Sequence, residues 1–245
     1  MCQVKTSQPP LTRAVPGLAR TFSTLSRAVH WPRGCMPAKE ADITTATGVR
    51  IVEATRGHIP FVAWVVMSAN RSHLPKGMWD FSIGGTEEEV LRYLEVLADT
   101  EQAHWAHYSL FKVAEVDGVP AAGMCGFFEN DLGPVSMMAR AGEVDQSKAI
   151  MGIIMEHEPG AWVVEHVATK PEFRRRGLVE RLISETLETG RERGAKTADI
   201  GVLIGNDPAQ RAYEKCGFEV VIEKRDVEFE RVYGSPGARM LRRAL

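Results

Sequence analysis

Paired cysteines, long apolar runs and an excess of one charge are all missing from this sequence. Its 4 cysteines are scattered and form no Cys-x-x-Cys pair, which argues against a disulfide framework or a structural zinc site. No apolar run approaches the ~20 residues that a membrane-spanning helix needs. A net charge of −2 over 245 residues gives no sign of nucleic-acid binding. We therefore expect an ordinary globular protein whose partners include no metal, membrane or nucleic acid.

Acidic residues are absent from residues 1–39, a segment that is rich in arginine, serine and threonine. Three of its arginines recur every seven residues, so they would share one face of a helix. Such a composition is typical of a transit peptide, although Pro16 would interrupt the helix. The alternatives to a transit peptide are a disordered tail and a translation start at Met36. We expect the mitochondrial matrix if the segment is a transit peptide, and the cytoplasm otherwise.

Residues 40–245 are predicted to form one mixed α/β domain, because strand-like and helix-like periodicities alternate along them. Strand character covers residues 49–53, 108–116, 119–128, 162–169, 197–204, 218–224 and 239–243. Helical character covers residues 59–69, 87–98, 178–193 and 208–216. We predict a loop over residues 72–85 and a Met-rich, helix-leaning insertion over about 130–160.

Short motifs predict where several of these elements begin and end. Thr86 and Glu89 have the spacing of a capping box at a helix start. The dipeptide Asp117-Gly118 between two strands indicates a two-residue hairpin turn, in which both residues have positive φ. Asp207 is predicted to be the N-cap of the helix that Gly217 ends.

An anion site is predicted at Arg174-Arg175-Arg176-Gly177, between a strand and a helix. Arginine binds phosphate oxygens well, and the first amides of a helix are free and lie at its positive end. Gly177 would let a phosphate approach the backbone closely. The two common nucleotide motifs, Gly-x-x-x-x-Gly-Lys-Ser/Thr and Gly-x-Gly-x-x-Gly, do not occur. For three arginines alone, a solvated run of charge is the alternative.

Two spaced patterns in this region resemble those of the GNAT (GCN5-related N-acetyltransferase) superfamily. Arg174 and Gly177 match its Gln/Arg-x-x-Gly-x-Gly/Ala loop, while Val179 replaces the small third residue. One helix later, the chain matches the pattern Asn-x-x-Ala-(x)3-Tyr-x-x-x-Gly-Phe at Asn206, Ala209, Tyr213, Gly217 and Phe218. The resemblance covers residues 160–222 strongly and residues 49–128 in element order.

The resemblance implies a central, mostly antiparallel twisted sheet with one splayed strand pair, flanked by helices. It also implies that acetyl-CoA is a co-substrate. The backbone that would hold its pantothenate arm is that of Val167, Ala168 and Thr169. The amides that would hold its pyrophosphate are those of Arg175, Arg176, Gly177, Leu178 and Val179, after Arg174. Asn206 would contact the coenzyme from the next strand.

A base and an acid are needed, because an amine of pKa ~10.4 must lose a proton and a thiolate must leave. Strict alternation along 161–169 would place Val163, Glu165 and Val167 on one face, opposite Val164, His166 and Ala168. We prefer Glu165 as the general base and keep His166 as the second candidate. Tyr213 matches the family's general acid. A salt bridge, a half-buried histidine and a core tyrosine are the alternative structural roles of these three residues.

The sequence therefore predicts an N-acetyltransferase that moves an acetyl group to a primary amine by direct attack in a ternary complex. A catalytically silent acyl-CoA-binding sensor on the same fold is the alternative, and a purely structural interaction domain is the third hypothesis. The acceptor would be selected by residues 71–79, 130–160 and 223–239, and its identity stays open. Candidates to line its pocket are Ser72, His73, Leu74, Trp79 and Asp80, and candidates to attract a cationic amine are Glu228 and Glu230. His104 and His107 lack a third spaced ligand for a metal. The protein is expected to be a monomer or a homodimer.

Overall fold

A computed structural model of the chain describes residues 48–132 and 149–245. The segment 1–39 and most of the predicted insertion lie outside these described residues, so their assignments stay predictions. Within the described ranges, no helix is both long and apolar enough to cross a membrane. The strands are β1 (Val49–Glu53), β2 (Phe111–Val116), β3 (Val119–Phe127), β4 (Trp162–Thr169), β5 (Thr197–Leu203), β6 (Glu219–Arg225) and β7 (Gly237–Ala244). The helices are α1 (Ile59–Arg71), α2 (Met78–Ile83), α3 (Glu87–Ala98), α4 (Leu178–Glu192), α5 (Asp207–Lys215) and α6 (Val227–Tyr233).

The strands form one seven-stranded sheet in the order β1-β2-β3-β4-β5-β7-β6. All neighbouring strands are antiparallel except β4 and β5, which are parallel. The parallel pair is short, because only Trp162, Val163 and Val164 pair with residues of β5. The predicted mixed fold with a mostly antiparallel sheet is therefore confirmed.

Helices cover both faces of the sheet, and each face has its own buried cluster. On the first face, α1, α2 and α3 pack on residues such as Phe111 and Val163. On the second face, α4 and α5 pack on residues such as Val164 and Ile200. Because Val163 and Val164 are consecutive, their side chains mark the two faces of β4.

Two predicted local motifs have the expected geometry. The Thr86 hydroxyl accepts from the Glu89 amide at 3.3 Å, and the Glu89 carboxylate accepts from the Thr86 amide at 2.7 Å. This closes the capping box and starts α3. In the hairpin between β2 and β3, Asp117 has φ of 51° and Gly118 has φ of 78°. Both predictions are confirmed.

Two short helices were not predicted. The loop assigned to residues 72–85 contains α2, and the segment 223–239 contains α6. Helices of six or seven residues have too little intrinsic stability to be recognised by periodicity. Both depend on local caps: Asp80 accepts from the Gly77 amide at 2.8 Å, and Asp226 accepts from the Phe229 amide at 2.8 Å.

Several predicted boundaries were wrong by a few residues. The N-cap of α5 is Asn206, whose side-chain oxygen accepts from the Ala209 amide at 3.3 Å, and Asp207 is the first helical residue. At its other end Cys216 is the C-cap, and Gly217 follows with φ of 83°. Tyr108–Leu110 is a 3₁₀ turn that precedes β2. In the described part of the predicted insertion, residues 149–151 are helical and residues 154–158 are not.

Helix α4 lies close to the sheet at Trp162, the first residue of β4. A Cβ at Gly190 would lie 2.6 Å from the Trp162 ring, and one at Gly126 would lie 2.2 Å from the Thr186 hydroxyl. The glycines therefore permit this approach. The Trp162 indole donates to the Thr186 hydroxyl at 3.2 Å in a fully buried setting.

Thr186→Val should test how much this buried hydrogen bond stabilises the fold. The substitution keeps the shape and leaves the Trp162 N–H without an acceptor, so the free energy of unfolding should fall by about 1–3 kcal/mol. Chemical denaturation measures the change. Thr186→Ser keeps the hydroxyl and is the matched control. A Val variant more stable than the Ser variant would contradict the prediction.

Candidate active site

The early separation of β4 and β5 opens a cleft in the middle of the sheet. Beyond Val164 and Ile200 the two strands no longer pair, although both continue, to Thr169 and Leu203. The cleft has a volume of about 1300 Å³ and is lined by residues 164–169 of β4 and residues 200–203 of β5. The splayed strand pair that the family resemblance implied is thus present.

The cleft extends to both faces of the sheet. On the second face its lining includes Leu178, Ala209 and Tyr213, which belong to α4 and α5. On the first face its lining includes Trp64 of α1 and Trp105, which pack on the first-face cluster. Two molecules that enter from opposite faces could therefore meet between β4 and β5.

A bulge in β4 changes the predicted orientation of its side chains. His166 has φ of 49°, and the register shifts so that Glu165 lies opposite Cys125 while Ala168 lies opposite Gly123. One residue of β3 therefore faces both His166 and Val167. The strict alternation predicted for residues 161–169 was wrong beyond Glu165: Ala168 packs with the first-face cluster and Val167 with the second.

Because of this bulge, Glu165 and His166 lie together on the first face. Cys125, directly opposite Glu165, belongs to the first-face cluster. The His166 ring lies 5.3 Å from the ring of Trp105 and 6.2 Å from that of Phe111. His166 Nε2 is 3.8 Å from Glu165 Oε2, so the two candidate bases are neighbours.

The two candidate bases differ in their electrostatic surroundings. Burial raises the pKa of the Glu165 carboxyl, and the nearby carboxylate of Glu129 raises it further. His157 lowers this pKa, but the net effect is a pKa above the usual value. Its side chain is still 37% exposed, through the cleft. Burial and His104 lower the pKa of His166 to about 4. Its Nε2 has no hydrogen-bond partner among the described residues.

His157 is a further titratable residue of the cleft that the sequence did not single out. Its Nδ1 lies 3.5 Å from Oδ2 of Asp199, a carboxylate with no exposed surface. Two Arg242 nitrogens donate to Asp199 at 2.6 and 2.9 Å. Burial alone would lower the pKa of His157, but the carboxylates of Asp199, Glu165 and Glu129 raise it above the usual value. These carboxylates favour the imidazolium form of His157 near Glu165.

The arginine loop forms a concave run of backbone amides before α4. Arg175 and Gly177 are both left-handed, with φ of 61° and 71°, a geometry that turns successive N–H groups towards one point. Helix α4 begins at Leu178, so its first amides are free as well. A Cβ at Gly177 would meet no atom within 4 Å. Val179, which departs from the family pattern, packs against the second-face cluster.

Two residues predicted from the second pattern also line the cleft. Tyr213 is 6% exposed, and its hydroxyl has no hydrogen-bond partner in the described part of the chain. Burial raises its pKa, so the phenol stays protonated at neutral pH. Asn206 donates to the Ser72 hydroxyl at 2.7 Å while it caps α5. Its amide therefore joins the α1–α2 loop to the end of β5.

Other predicted candidates have structural partners. His104 and His107 bond to the carbonyl oxygens of Leu97 and Thr100, at 2.9 and 3.1 Å. No group of three potential metal ligands occurs among residues 48–132 and 149–245. Of the acceptor candidates named one by one, Ser72, His73 and Leu74 line the cleft, and the predicted acceptor segments also contribute Ile150, Ile153 and Phe229 to its lining. Trp79 is buried, Asp80 pairs with Arg71, and Glu228 pairs with Arg231 outside the cleft.

Comparison with known proteins identifies the family. The model of the acetyltransferase (GNAT) family matches residues 79–218, more than half of the chain, and the protein belongs to this family. The predicted family is thus confirmed, and the match contains the cleft residues of β4, the arginine loop and α5.

Individual relatives agree with this family. Over 66 residues the chain is 33% identical to a Bacillus subtilis (strain 168) protein provisionally named ribosomal protein bS18-alanine N-acetyltransferase, a match that spans 24% of this chain and 44% of that relative. The structure resembles an N-acetyltransferase from Staphylococcus aureus Mu50, with a TM-score of 0.56 and 17% identity over 79% of this chain and 100% of the other. A second solved acetyltransferase gives a TM-score of 0.55 and 18% identity over 80% and 98% of the two chains. These likenesses show the fold.

Proposed function

We propose that the protein transfers an acetyl group from acetyl-CoA to a primary amine by direct attack in a ternary complex. The observation that carries this proposal is a cleft through the sheet with a carboxylate, Glu165, on the first face and a phenol, Tyr213, on the second. Each of the two proton transfers that the reaction needs then has its own group.

Acetyl-CoA would occupy the second-face half of the cleft. Three features fit it: the concave amides of the arginine loop, the open space over Gly177, and a buried Thr169 hydroxyl that has no partner among the described residues. The pantothenate arm would lie along the backbone of Val167, Ala168 and Thr169. The pyrophosphate would be bound by the side chain of Arg174 and the amides of Arg175, Arg176, Gly177, Leu178 and Val179. Asn206 would border the arm from the end of β5.

Glu165 is the proposed general base. Its carboxylate lies on the first face, where the amine would enter, and its raised pKa makes it a better proton acceptor than an ordinary exposed carboxylate. His166, the second candidate, is the weaker base, because its pKa is lowered to about 4 while that of Glu165 is raised. The free Nε2 of His166 instead suits a hydrogen bond to the amine or to water.

Tyr213 is the proposed general acid. After the amine nitrogen bonds to the thioester carbonyl carbon, the C–S bond breaks and the Tyr213 O–H gives its proton to the departing sulfur. The amine proton goes to Glu165. The Tyr213 hydroxyl has no partner among the described residues and Tyr213 lines the cleft, so its proton is available to a bound thioester.

His157 is proposed as a positioning residue that keeps Glu165 ionised. Its Nδ1 lies 3.5 Å from Asp199, which is itself bonded to Arg242, and its imidazolium form opposes the effects of burial and of Glu129 on the pKa of Glu165. His166, 3.8 Å from Glu165, is neutral and contributes no charge. Cys125, opposite Glu165, is buried with a raised pKa and is neutral too.

Thiol release from acetyl-CoA with a panel of primary amines tests the activity. The panel should include a peptide with N-terminal alanine, because the B. subtilis relative is named for that acceptor. Binding of acetyl-CoA without thiol release from any amine would favour the silent sensor.

Gly177→Val should weaken acetyl-CoA binding at least tenfold, because a side chain would occupy the open space above the loop amides. Calorimetry gives the affinity. Gly118→Val is the matched control: it has φ of 78° and the same open surroundings, in a hairpin turn outside the cleft. Both variants should lose comparable stability from the left-handed backbone, of the order of 1–2 kcal/mol. Unchanged affinity in Gly177→Val would remove the loop from the coenzyme site.

Tyr213→Phe should lower turnover by about 10–1000-fold and leave acetyl-CoA affinity nearly unchanged. The ring stays in place, and general-acid catalysis contributes roughly 10²–10⁴-fold, part of which water can replace. Tyr93→Phe, on α3 outside the cleft, is the control and should keep its turnover. Wild-type turnover in Tyr213→Phe would assign Tyr213 to the core alone.

His157→Gln should move the acid limb of the kcat/KM profile to higher pH. Activity rises with pH as Glu165 ionises, and loss of the neighbouring cation raises the pKa of Glu165 further. His58→Gln is the control: the His58 ring is 15% exposed against 17% for His157, and it pairs with Glu115 at 3.3 Å. An equal loss of activity at every pH would indicate a structural role only.

A further inference from the structure

We infer that the first-face half of the cleft binds a primary amine whose single charge lies at one end of an apolar body. This inference rests on the proposed acetyl transfer and names the acceptor class. It is carried by one glycine in the floor of the cleft and by the residues around it.

Gly201 lies in the middle of β5 and faces the first-face half of the cleft. Its neighbours Ile200 and Val202 belong to the second-face cluster, so Gly201 points the other way. A Cβ at Gly201 would meet no atom within 4 Å, and its backbone does not have positive φ. Neither packing nor backbone conformation requires glycine here. Because Gly201 has no side chain, the cleft is open at this point. Gly201 is exposed although it lies in a central strand.

The floor around Gly201 is apolar. In the register of β5 and β7, Gly201 lies opposite Met240 and Leu203 lies opposite Ala238. Residues that lie directly opposite one another share a face of the sheet, so these four form one continuous surface. All four line the cleft.

The wall beside this floor is apolar as well, and it is fixed to the sheet. Ile150, Ile153, Phe229 and Leu74 belong to one hydrophobic cluster and line the cleft. Lys224 of β6 donates to the Ile154 carbonyl at 2.6 Å. The Glu158 amide donates to Asp199 of β5 at 3.1 Å. The segment 149–158 is therefore held at its middle and at its C-terminal end.

Among the described residues that line this half, negative charge is confined to one end. Glu165 and Glu129 line the cleft near the separation of β4 from β5, beside His157. The carboxylate of Asp199 is neutralised by Arg242. An ammonium group can therefore lie at Glu165, whereas a second charge at the far end would lie against Leu203 and Phe229, with no carboxylate among the described residues that line that end. An unpaired buried charge is costly. The occupant that fits is a monocation with an apolar tail.

Hexylamine, ethylamine and 1,6-diaminohexane test this with acetyl-CoA saturating. Each buried CH₂ contributes about 0.8 kcal/mol, so hexylamine should exceed ethylamine in kcat/KM at least tenfold. It should exceed 1,6-diaminohexane at least tenfold too, because only the diamine carries a charge at the far end. Equal values for the three amines, or a preference for the diamine, would overturn the inference while acetyl transfer stands.

Gly201→Val tests the floor directly. Valine suits a strand, and its side chain would fill the open space, so the ratio of hexylamine to ethylamine kcat/KM should fall at least tenfold. Gly118→Val, outside the cleft, should leave that ratio unchanged. An unchanged ratio in Gly201→Val would overturn the assignment of this floor.

Direct binding separates failure of this inference from failure of the proposed activity. If none of the amines releases thiol, acetyl transfer to amines fails, and the pocket is judged by calorimetry on the full chain saturated with CoA. Hexylamine should still bind at least tenfold more tightly than 1,6-diaminohexane. Equal affinities, or no binding of either amine, would overturn the pocket as well.

Discussion

Hydrogen bonding between β4 and β5 ends after three residue pairs, and the other features of the site depend on that early end. Backbone groups of parallel strands normally pair along their whole length, because an unpaired N–H or C=O away from water is costly. Here the edges of residues 165–169 and 201–203 face each other across the cleft. An occupant of such a gap must carry polar groups along its length to pair with these strand edges. An extended arm that contains amide groups meets this requirement.

The bulge at His166 gives the gap its chemical asymmetry. Without it, Glu165 and His166 would point to opposite faces of the sheet. With it, the imidazole lies next to the carboxylate on the first face, and the face of Tyr213 is left to α4 and α5. A base and an acid on opposite faces can act on opposite sides of one carbonyl carbon. A left-handed backbone costs free energy at a non-glycine residue such as His166. In return, the bulge places His166 beside Glu165 on the first face.

Much of the fold and part of the site could be predicted because their signals are local. The Thr86 capping box, the Asp117-Gly118 turn and the spacing from Asn206 to Phe218 each lie within a few residues. The helices α2 and α6 could not be predicted, since their stability comes from caps and packing and not from periodicity. The bulge reversed the alternation at Val167 and Ala168, and no residue type at that position announces it.

Non-local residues of the site gave no signal at all in the sequence. The pKa of His157 is raised in part by Asp199, which is buried in β5 and bonded to Arg242 of β7. Nothing in the sequence distinguishes Gly201 from the other glycines, whereas the structure shows open space above it. The register of β5 and β7 places Gly201 opposite Met240 in the cleft and Asp199 opposite Arg242.

Asp199 has a consequence for how this enzyme can diversify. The Asp199 carboxylate accepts a hydrogen bond from the Glu158 amide, which anchors the apolar wall. It also lies 3.5 Å from Nδ1 of His157, and His157 in turn lowers the pKa of Glu165. A mutation that reshapes the wall would therefore also disturb the surroundings of Glu165, the proposed base. Change of specificity and loss of rate are thereby linked through one buried side chain. Descendants with new acceptors should more readily arise by substitution at Gly201 or on α6, which leave that side chain in place.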